Sequence, residues 1–493
     1  MVGQLVALIL GTILLNGNLA YSQQGLTVRS VEQPVGLAVV QKQNEISCRD
    51  CNVIFVGLDA LQGRRLGTRG YRAVTPSGRK SVTPNLDAFA KRSVDFAQAI
   101  SPASWTVPVY LSVFSSTFPS YHGLTNRYKA FTPQKKELNN VKSLRPNLLV
   151  VAELYKAAGY HTGAFTGDSG VSAVLGYDKG FDVYYDRERF GGLKKSLQEF
   201  EKWITTTKGK PFFAFVHGYD SHSQFASQNR YPLDNVSKEM RAKLSSKAQE
   251  AMREKALNGE KLNPTQAEIE AWRSWYDNRV FDADQEFGSL IGFLEKKGLI
   301  RNTIVVVFSD HGTEFFEHGG VDHGHSLFDE LVHVPLMIYS PKLKKARVVK
   351  EQVSTMDVLP TAIELSGLTF TPDTSSRIRS QMKGQSLLKT LTGESFVART
   401  AYIETDLRNA IHLRGMRTAT GWKYIMNIGK GSEELYNLNT DPGEKIDLSK
   451  IEQHSVQLSK LRAELFEHIK TNLDGGLRAL SMDCLPVYPG QCE

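Results

Sequence analysis

Charge is missing from the start of this sequence: Met1–Gln24 contains no Lys, Arg, Asp or Glu, and Leu5–Leu15 within it is an apolar run. Eleven residues fall short of the ~20 that a bilayer-spanning helix requires. The triplet Ala20-Tyr21-Ser22 that follows has the small-x-small form of a cleavage site, so residues 1–22 are expected to be a secretory signal peptide. That expectation makes the chain secreted or periplasmic. No later segment is apolar for long enough to cross a membrane, and neither an internal repeat nor a low-complexity tract occurs.

Cysteine is scarce, with Cys48 and Cys51 near one end and Cys484 and Cys492 near the other. Export permits disulfides, and four cysteines allow three pairings; a structural staple is expected rather than a zinc site. Charge of one sign is not concentrated anywhere. The 60 basic and 52 acidic residues leave a net charge of +8, spread along the chain. This balance suits an anionic substrate or surface, and it supplies no basic patch for nucleic acid. Nothing in the sequence speaks to oligomeric state.

What is present is a series of apolar, β-branched runs that end in polar side chains. Val305-Val306-Val307-Phe308 leads into Ser309-Asp310-His311-Gly312, Asn52–Leu58 ends at Asp59, and Pro211–Val216 ends at His217, with Asp220 and His222 just beyond. Such runs read as strands buried on both faces, and an open α/β sheet places its chemistry at their carboxyl ends. Thr106 lies two residues before Pro108, which a helix tolerates only in its first turn, so its hydroxyl is expected at a helix N-terminus. A helix is also expected from Pro84, and a long one over Trp275–Leu299. The Lys-, Glu- and Gln-rich stretch 224–273 reads as a helical insertion or lid. A loop rich in Gly and His, from Glu317 to Glu330, carries His318, His323 and His325. Beyond about residue 366, Trp422–Ile425 and Glu434–Leu438 read as antiparallel strands, followed by a turn at Asp441-Pro442-Gly443 and a terminal helix.

In this order, Asp59, Trp105-Thr106-x-Pro108, His217 to His222, Ser309-Asp310-His311-Gly312, His323-Gly324, Asp357-x-Leu359-Pro360-Thr361 and Glu434-Leu435-Tyr436 with Asp441-Pro442-Gly443-Glu444 resemble the sulfatase family of the alkaline phosphatase superfamily. The resemblance runs from about residue 52 to 450. It implies an α/β fold: a mixed, mainly parallel sheet flanked by helices over 50–365, and a smaller antiparallel subdomain over 366–493. It implies Asp59, Thr106, Asp310 and His311 around one divalent metal ion. Calcium, magnesium or manganese suits oxygen donors, and the imidazole leaves zinc open. It implies Thr106 as nucleophile, His323 and His222 as catalytic histidines, and His217, Tyr110 and His325 in contact with an anionic ester substrate.

Two departures bear on the chemistry. Sulfatases that cleave sulfate esters carry Cys or Ser in Cys/Ser-x-Pro-x-Arg, which is oxidised to formylglycine; here the run is Thr106-Val107-Pro108-Val109-Tyr110. Threonine cannot become that aldehyde, and Tyr110 replaces the arginine. Ala60 also follows Asp59 where many sulfatases have a second Asp. The resemblance therefore points to a hydrolase of phosphate or sulfate esters acting through Thr106 without formylglycine. A sulfuric ester hydrolase using threonine directly, and a non-catalytic protein binding an anionic glycan or lipid head group, are the alternatives.

Overall fold

Strands with apolar residues at every position can be satisfied only with a layer on each face, and that requirement organises the molecule. The computed structural model describes residues 46–472 apart from 76–77, 131–135, 146, 208, 224–239, 241–244, 258–259 and 408–410. The expected signal peptide, the run Asn235-Val236-Ser237, which has the Asn-x-Ser form of a glycosylation acceptor, and the pair Cys484 and Cys492 lie outside the described residues. Cys48 is disulfide-bonded to Cys51. Among the described residues no helix is long and apolar enough to cross a membrane.

The main sheet has nine strands: β1 (Asn52–Leu58), β2 (Val94–Ile100), β3 (His161–Phe165), β4 (Val183–Tyr185), β5 (Phe212–Gly218), β6 (Thr303–Phe308), β7 (His333–Val334), β8 (Leu336–Tyr339) and β9 (Arg347–Ser354). Their order is β7-β2-β8-β6-β1-β5-β3-β4, with β9 also pairing β2. The run β6-β1-β5-β3-β4 is parallel, as is β9 with β2, whereas β8 pairs antiparallel with β6 and β2. This is the mixed, mainly parallel sheet expected.

Alternation within the central strands divides the core. Val53 and Phe55 of β1, with Ile304 and Val306 of β6, face a layer containing α2 (Thr106–Ser115). Ile54, Val56, Val305 and Val307 face the opposite layer, built on α1 (Pro84–Ala90), α3 (Leu193–Ile204) and part of α5 (Gln266–Lys296). Each fully buried Val or Phe contributes about 1.5–3 kcal/mol, so the register of β1 between β5 and β6 is fixed by its side chains.

Two elements differ from expectation. Helix α5 begins at Gln266, nine residues before Trp275, because Thr265 and Glu268 form a capping box: the Thr265 hydroxyl accepts from the Glu268 N–H at 3.2 Å while Glu268 accepts from the Thr265 N–H at 2.8 Å. Of the segment 224–273, the described part contains α4 (Ser246–Leu257) and the first turns of α5.

The antiparallel subdomain has four strands rather than the two read from sequence: β10 (Ala401–Leu407), β11 (Ile411–Arg417), β12 (Trp422–Asn427) and β13 (Ser432–Asn437), in that order. The helix α6 (Ser455–Asn472) packs Leu458, Leu461 and Leu465 on Met416, Tyr424 and Leu435. Ile378, Leu387 and Leu391, within the expected 366–493 subdomain, join the α2 layer of the main sheet. Lys423, with its side chain fully buried, is 2.9 Å from Asp329 and 2.7 Å from Glu444, linking the two parts by charge.

Candidate active site

Three adjacent strands, β6, β1 and β5, end at the same level, since Gly57 pairs with both Phe308 and His217 and Leu58 pairs with Gly218. The side chains that follow must therefore converge. Asp59 leaves β1, Asp310 and His311 leave β6, and His217 lies at the end of β5 with His222 shortly beyond; all five are at most 4% exposed.

The ligand-type atoms of Asp59, Asp310 and His311 lie within 4.8 Å of one another. The imidazole orientation of His311 is fixed locally: its Nδ1 is 2.7 Å from the Gly312 carbonyl, to which it donates, leaving the Nε2 lone pair facing the carboxylates. That Nε2 is 3.4 Å from Asp310 and 3.8 Å from Asp59. Ala60, at φ 59°, turns its N–H onto Asp310 Oδ1 at 3.1 Å.

Asp59 Oδ1 and Asp310 Oδ2 are buried with no hydrogen-bond partner among the described residues. Burial first, and the Asp310 charge second, push the Asp59 carboxyl well above its usual range. Two carboxylates and an imidazole held together out of water are unfavourable alone and suit a divalent cation, which would satisfy both orphaned oxygens and offset the like charges. The donor set fits the single metal that the sequence implied.

Thr106 is the first residue of α2, and Trp105, not Thr106, is the N-cap. Its hydroxyl is thereby free of capping duty. Thr106 Oγ1 lies 3.2 Å from His311 Nε2 and 3.4 Å from Asp59 Oδ2. Gly170 closes the other side, since a Cβ there would come within 2.7 Å of Thr106 Cγ2.

His323 and His222 stand over this group. The His323 ring stacks on His311 with centroids 4.2 Å apart and meets His222 at 4.9 Å. His323 Nδ1 donates to Asp322 Oδ1 at 2.6 Å, which leaves the ring's lone pair on Nε2. Burial holds His323 down to about 3 against the opposing Asp322 charge, and it holds His222 well below its usual value. Both are neutral near pH 7.

His217 and Tyr110 pack against each other, with His217 also against Asp59. Both are 0% exposed; His217 Nε2 is 3.4 Å from Asp59 Oδ2, and the Tyr110 ring packs edge-on to His217 at 5.0 Å. Tyr110 fits because residue 57 is glycine: a Cβ there would lie 2.6 Å from the Tyr110 oxygen. His325 is drawn to a separate cluster, with Nε2 2.6 Å from Glu314, beside the His318–Glu330 pair at 2.5 Å. The structure therefore gathers Asp59, Thr106, Asp310, His311, His222 and His323, sets His217 and Tyr110 beneath them, and pairs His325 with Glu314.

Sequence reasoning passed over two residues. Asp322 precedes His323 as Asp310 precedes His311, a visible signal. Arg253, on α4, had none, being one charge among many in a solvated-looking stretch.

A sheet whose strand ends carry a carboxylate pair, an imidazole and a helix-terminal hydroxyl is an arrangement suited to ester hydrolysis. The family described as Sulfatase matches residues 51–368, and the family described as N-sulphoglucosamine sulphohydrolase, C-terminal, matches residues 316–471. Arylsulfatase K of Mus musculus is 30% identical over 459 residues, covering 81% of this chain and 76% of the relative. The Delta 4,5-hexuronate-2-O-sulfatase of Bacteroides thetaiotaomicron is 30% identical over 197 residues, and that match spans only 38% of each chain. Among solved structures, the phosphonate monoester hydrolase of Agrobacterium radiobacter superposes with a TM-score of 0.64 at 18% identity, covering 87% of this chain and 97% of the other. The chain belongs to the sulfatase family, the ester hydrolases of the alkaline phosphatase superfamily.

Proposed function

We propose that this protein is an exported, metal-dependent hydrolase of phosphate or sulfate esters that acts through Thr106. The observation that carries the reading is the Thr106 hydroxyl, 3.4 Å from Asp59 and 3.2 Å from His311 at the first turn of a buried helix. A divalent ion held by Asp59, Asp310 and His311 would act there as a Lewis acid toward the hydroxyl and the ester oxygens. The N-terminal end of α2 adds unpaired N–H groups that favour an anion.

Thr106 Oγ1 attacks phosphorus or sulfur in line, the new O–P or O–S bond forming as the bond to the leaving oxygen breaks. His323, with Asp322 on Nδ1, takes up a proton at Nε2 as the anionic ester binds and gives it to the leaving oxygen, while the Thr106 proton is lost to water. Water then hydrolyses the threonine ester. His222 stands beside His323 at the leaving-group side. His217 and Tyr110 support Asp59 from below, and no formylglycine takes part.

Phosphorus and sulfur substrates each have support. A threonine cannot form the aldehyde that sulfate-cleaving members use, and the phosphonate monoester hydrolase shares the fold. The relatives named for sulfate esters favour direct sulfuryl transfer as the second reading. A panel of aryl phosphate, phosphodiester, phosphonate and sulfate esters separates the two. Thr106→Ala is expected to lower turnover of the preferred ester on the order of 10³-fold or more while leaving the fold intact. A variant that keeps wild-type turnover removes Thr106 from the mechanism.

A further inference from the structure

The helix α4 is rich in Lys, Glu and Gln, yet its Arg253 is only 7% exposed. A buried guanidinium is costly unless its hydrogen bonds are satisfied, so what it touches is informative. Arg253 reaches two consecutive residues of one loop. One terminal nitrogen donates to the His323 carbonyl at 3.0 Å, and the other lies 3.6 Å from Asp322 Oδ2. Asp322 Oδ1 receives His323 Nδ1 at 2.6 Å, and Asp322 Oδ2 also accepts from the Ser223 hydroxyl at 3.4 Å.

The loop needs such a brace. Asp322 has φ 74° and Gly324 has φ 84°, so His323 sits between two left-handed residues. A non-glycine residue in that region is strained and persists only when its surroundings over-determine it. No regular strand continues past Asp322 to hold the imidazole. Its orientation rests on the Asp322 bond and on stacking against His311.

We propose that Arg253 is a positioning residue of the hydrolase: from the insertion helix it clamps Asp322 and the His323 backbone, and so fixes the orientation of the His323 imidazole at the leaving-group side of the site. This inference rests on the proton-transfer role given to His323 above. It makes α4 part of the active site. A misplacement of about 1 Å in a group that acts on the leaving oxygen can cost up to ~10²-fold in rate.

The test uses esters of whichever acid the wild-type chain hydrolyses, with a good aryl leaving group and a poor alkyl one. A good leaving group departs without a proton and is indifferent to His323; a poor one is not. Arg253→Gln is expected to lower kcat on the alkyl ester about 10- to 100-fold, with a loss about tenfold smaller on the aryl ester and KM unchanged. Arg253→Lys, which keeps the charge but not the fork, is expected to recover part of the loss. Adding Arg253→Gln to His323→Ala should cost nothing further, because both act through one group. Equal losses on the two esters, or additive losses in the double variant, overturn the proposal. The low-field proton resonance of His323 Nδ1, assigned by its absence in His323→Ala, reads the clamp without substrate. It should weaken or shift in Arg253→Gln, and an unchanged resonance overturns the clamp. A wild-type chain that cleaves no ester refutes the proposed function instead, while the resonance still decides the clamp.

Discussion

Replacing Tyr110 with phenylalanine tests whether the residue at the missing arginine position is a floor or a participant. The Tyr110 oxygen is fully buried and has no hydrogen-bond partner among the described residues. Burial, with the charges of Asp310 and Asp59 behind it, pushes its phenol well above the usual range, so no ionised form is lost on substitution. The ring contacts with His217, Phe114, Phe215 and Phe308 are kept by phenylalanine. What disappears is an unsatisfied buried hydroxyl, a group that costs about 1–3 kcal/mol. Tyr110→Phe is therefore expected to stabilise the chain by about 1–3 kcal/mol. At ~2.1 cal/mol/K per residue, a unit of about 430 residues has an unfolding entropy near 0.9 kcal/mol/K, so the midpoint rises by about 1–3 °C. Calorimetry and denaturant titration read this, and ester turnover should stay within about twofold, the range expected when no transition-state contact is removed. A loss of stability above about 1 kcal/mol would mean the hydroxyl has a partner in the working site. A tenfold fall in turnover would make it a participant, and either result refutes the floor.

Three further outcomes follow from the same geometry. Chelation should abolish turnover and lower the thermal midpoint, with both restored by a divalent cation; Asp310→Asn should purify with less metal by elemental mass spectrometry, and full occupancy in that variant would remove Asp310 as a ligand. Lys423→Met should destabilise by about 3–5 kcal/mol in denaturant titration, because it leaves the buried Glu444 carboxylate and the partly buried Asp329 carboxylate without their cation; a loss below about 1 kcal/mol would show that Arg417, 3.2 Å from Asp329, suffices alone. Burial alone would raise the Glu314 carboxyl, but the His325 hydrogen bond and charge, with the N–H groups of His318 and Gly320, bring it down to about 2. A depressed carboxyl stabilises the fold above its unfolded value of about 4.5 and loses that contribution as pH falls through about 2, so Glu314→Gln should flatten the stability profile in that window by up to about 3 kcal/mol.

The sequence by itself determined the strands and most of the chemistry they carry. Continuous β-branched runs at 52–58 and 303–308 have no stable state except a strand covered on both faces, and the residues that follow such runs must emerge at a sheet edge. Asp59, Asp310 and His311 were legible for that reason, and Pro108 fixed Thr106 within a first helical turn. The two-strand reading of the subdomain fell short because Ala401–Leu407 and Ile411–Arg417 contain Glu, Asp, His and Arg at strand positions. Those side chains are satisfied only by tertiary partners, as Arg414 is by Asp406 at 2.9 Å. Only the tertiary structure decided depth and pairing. His217, Tyr110 and His325 belong to polar motifs that look alike in one dimension. Packing put two of them under Asp59 and turned the third toward Glu314, because each buried polar group goes where its hydrogen bond can be met. Arg253 shows the same limit most plainly: nothing in a charged helix marks which arginine is buried, and that is settled by the Asp322 carboxylate that faces it across the fold.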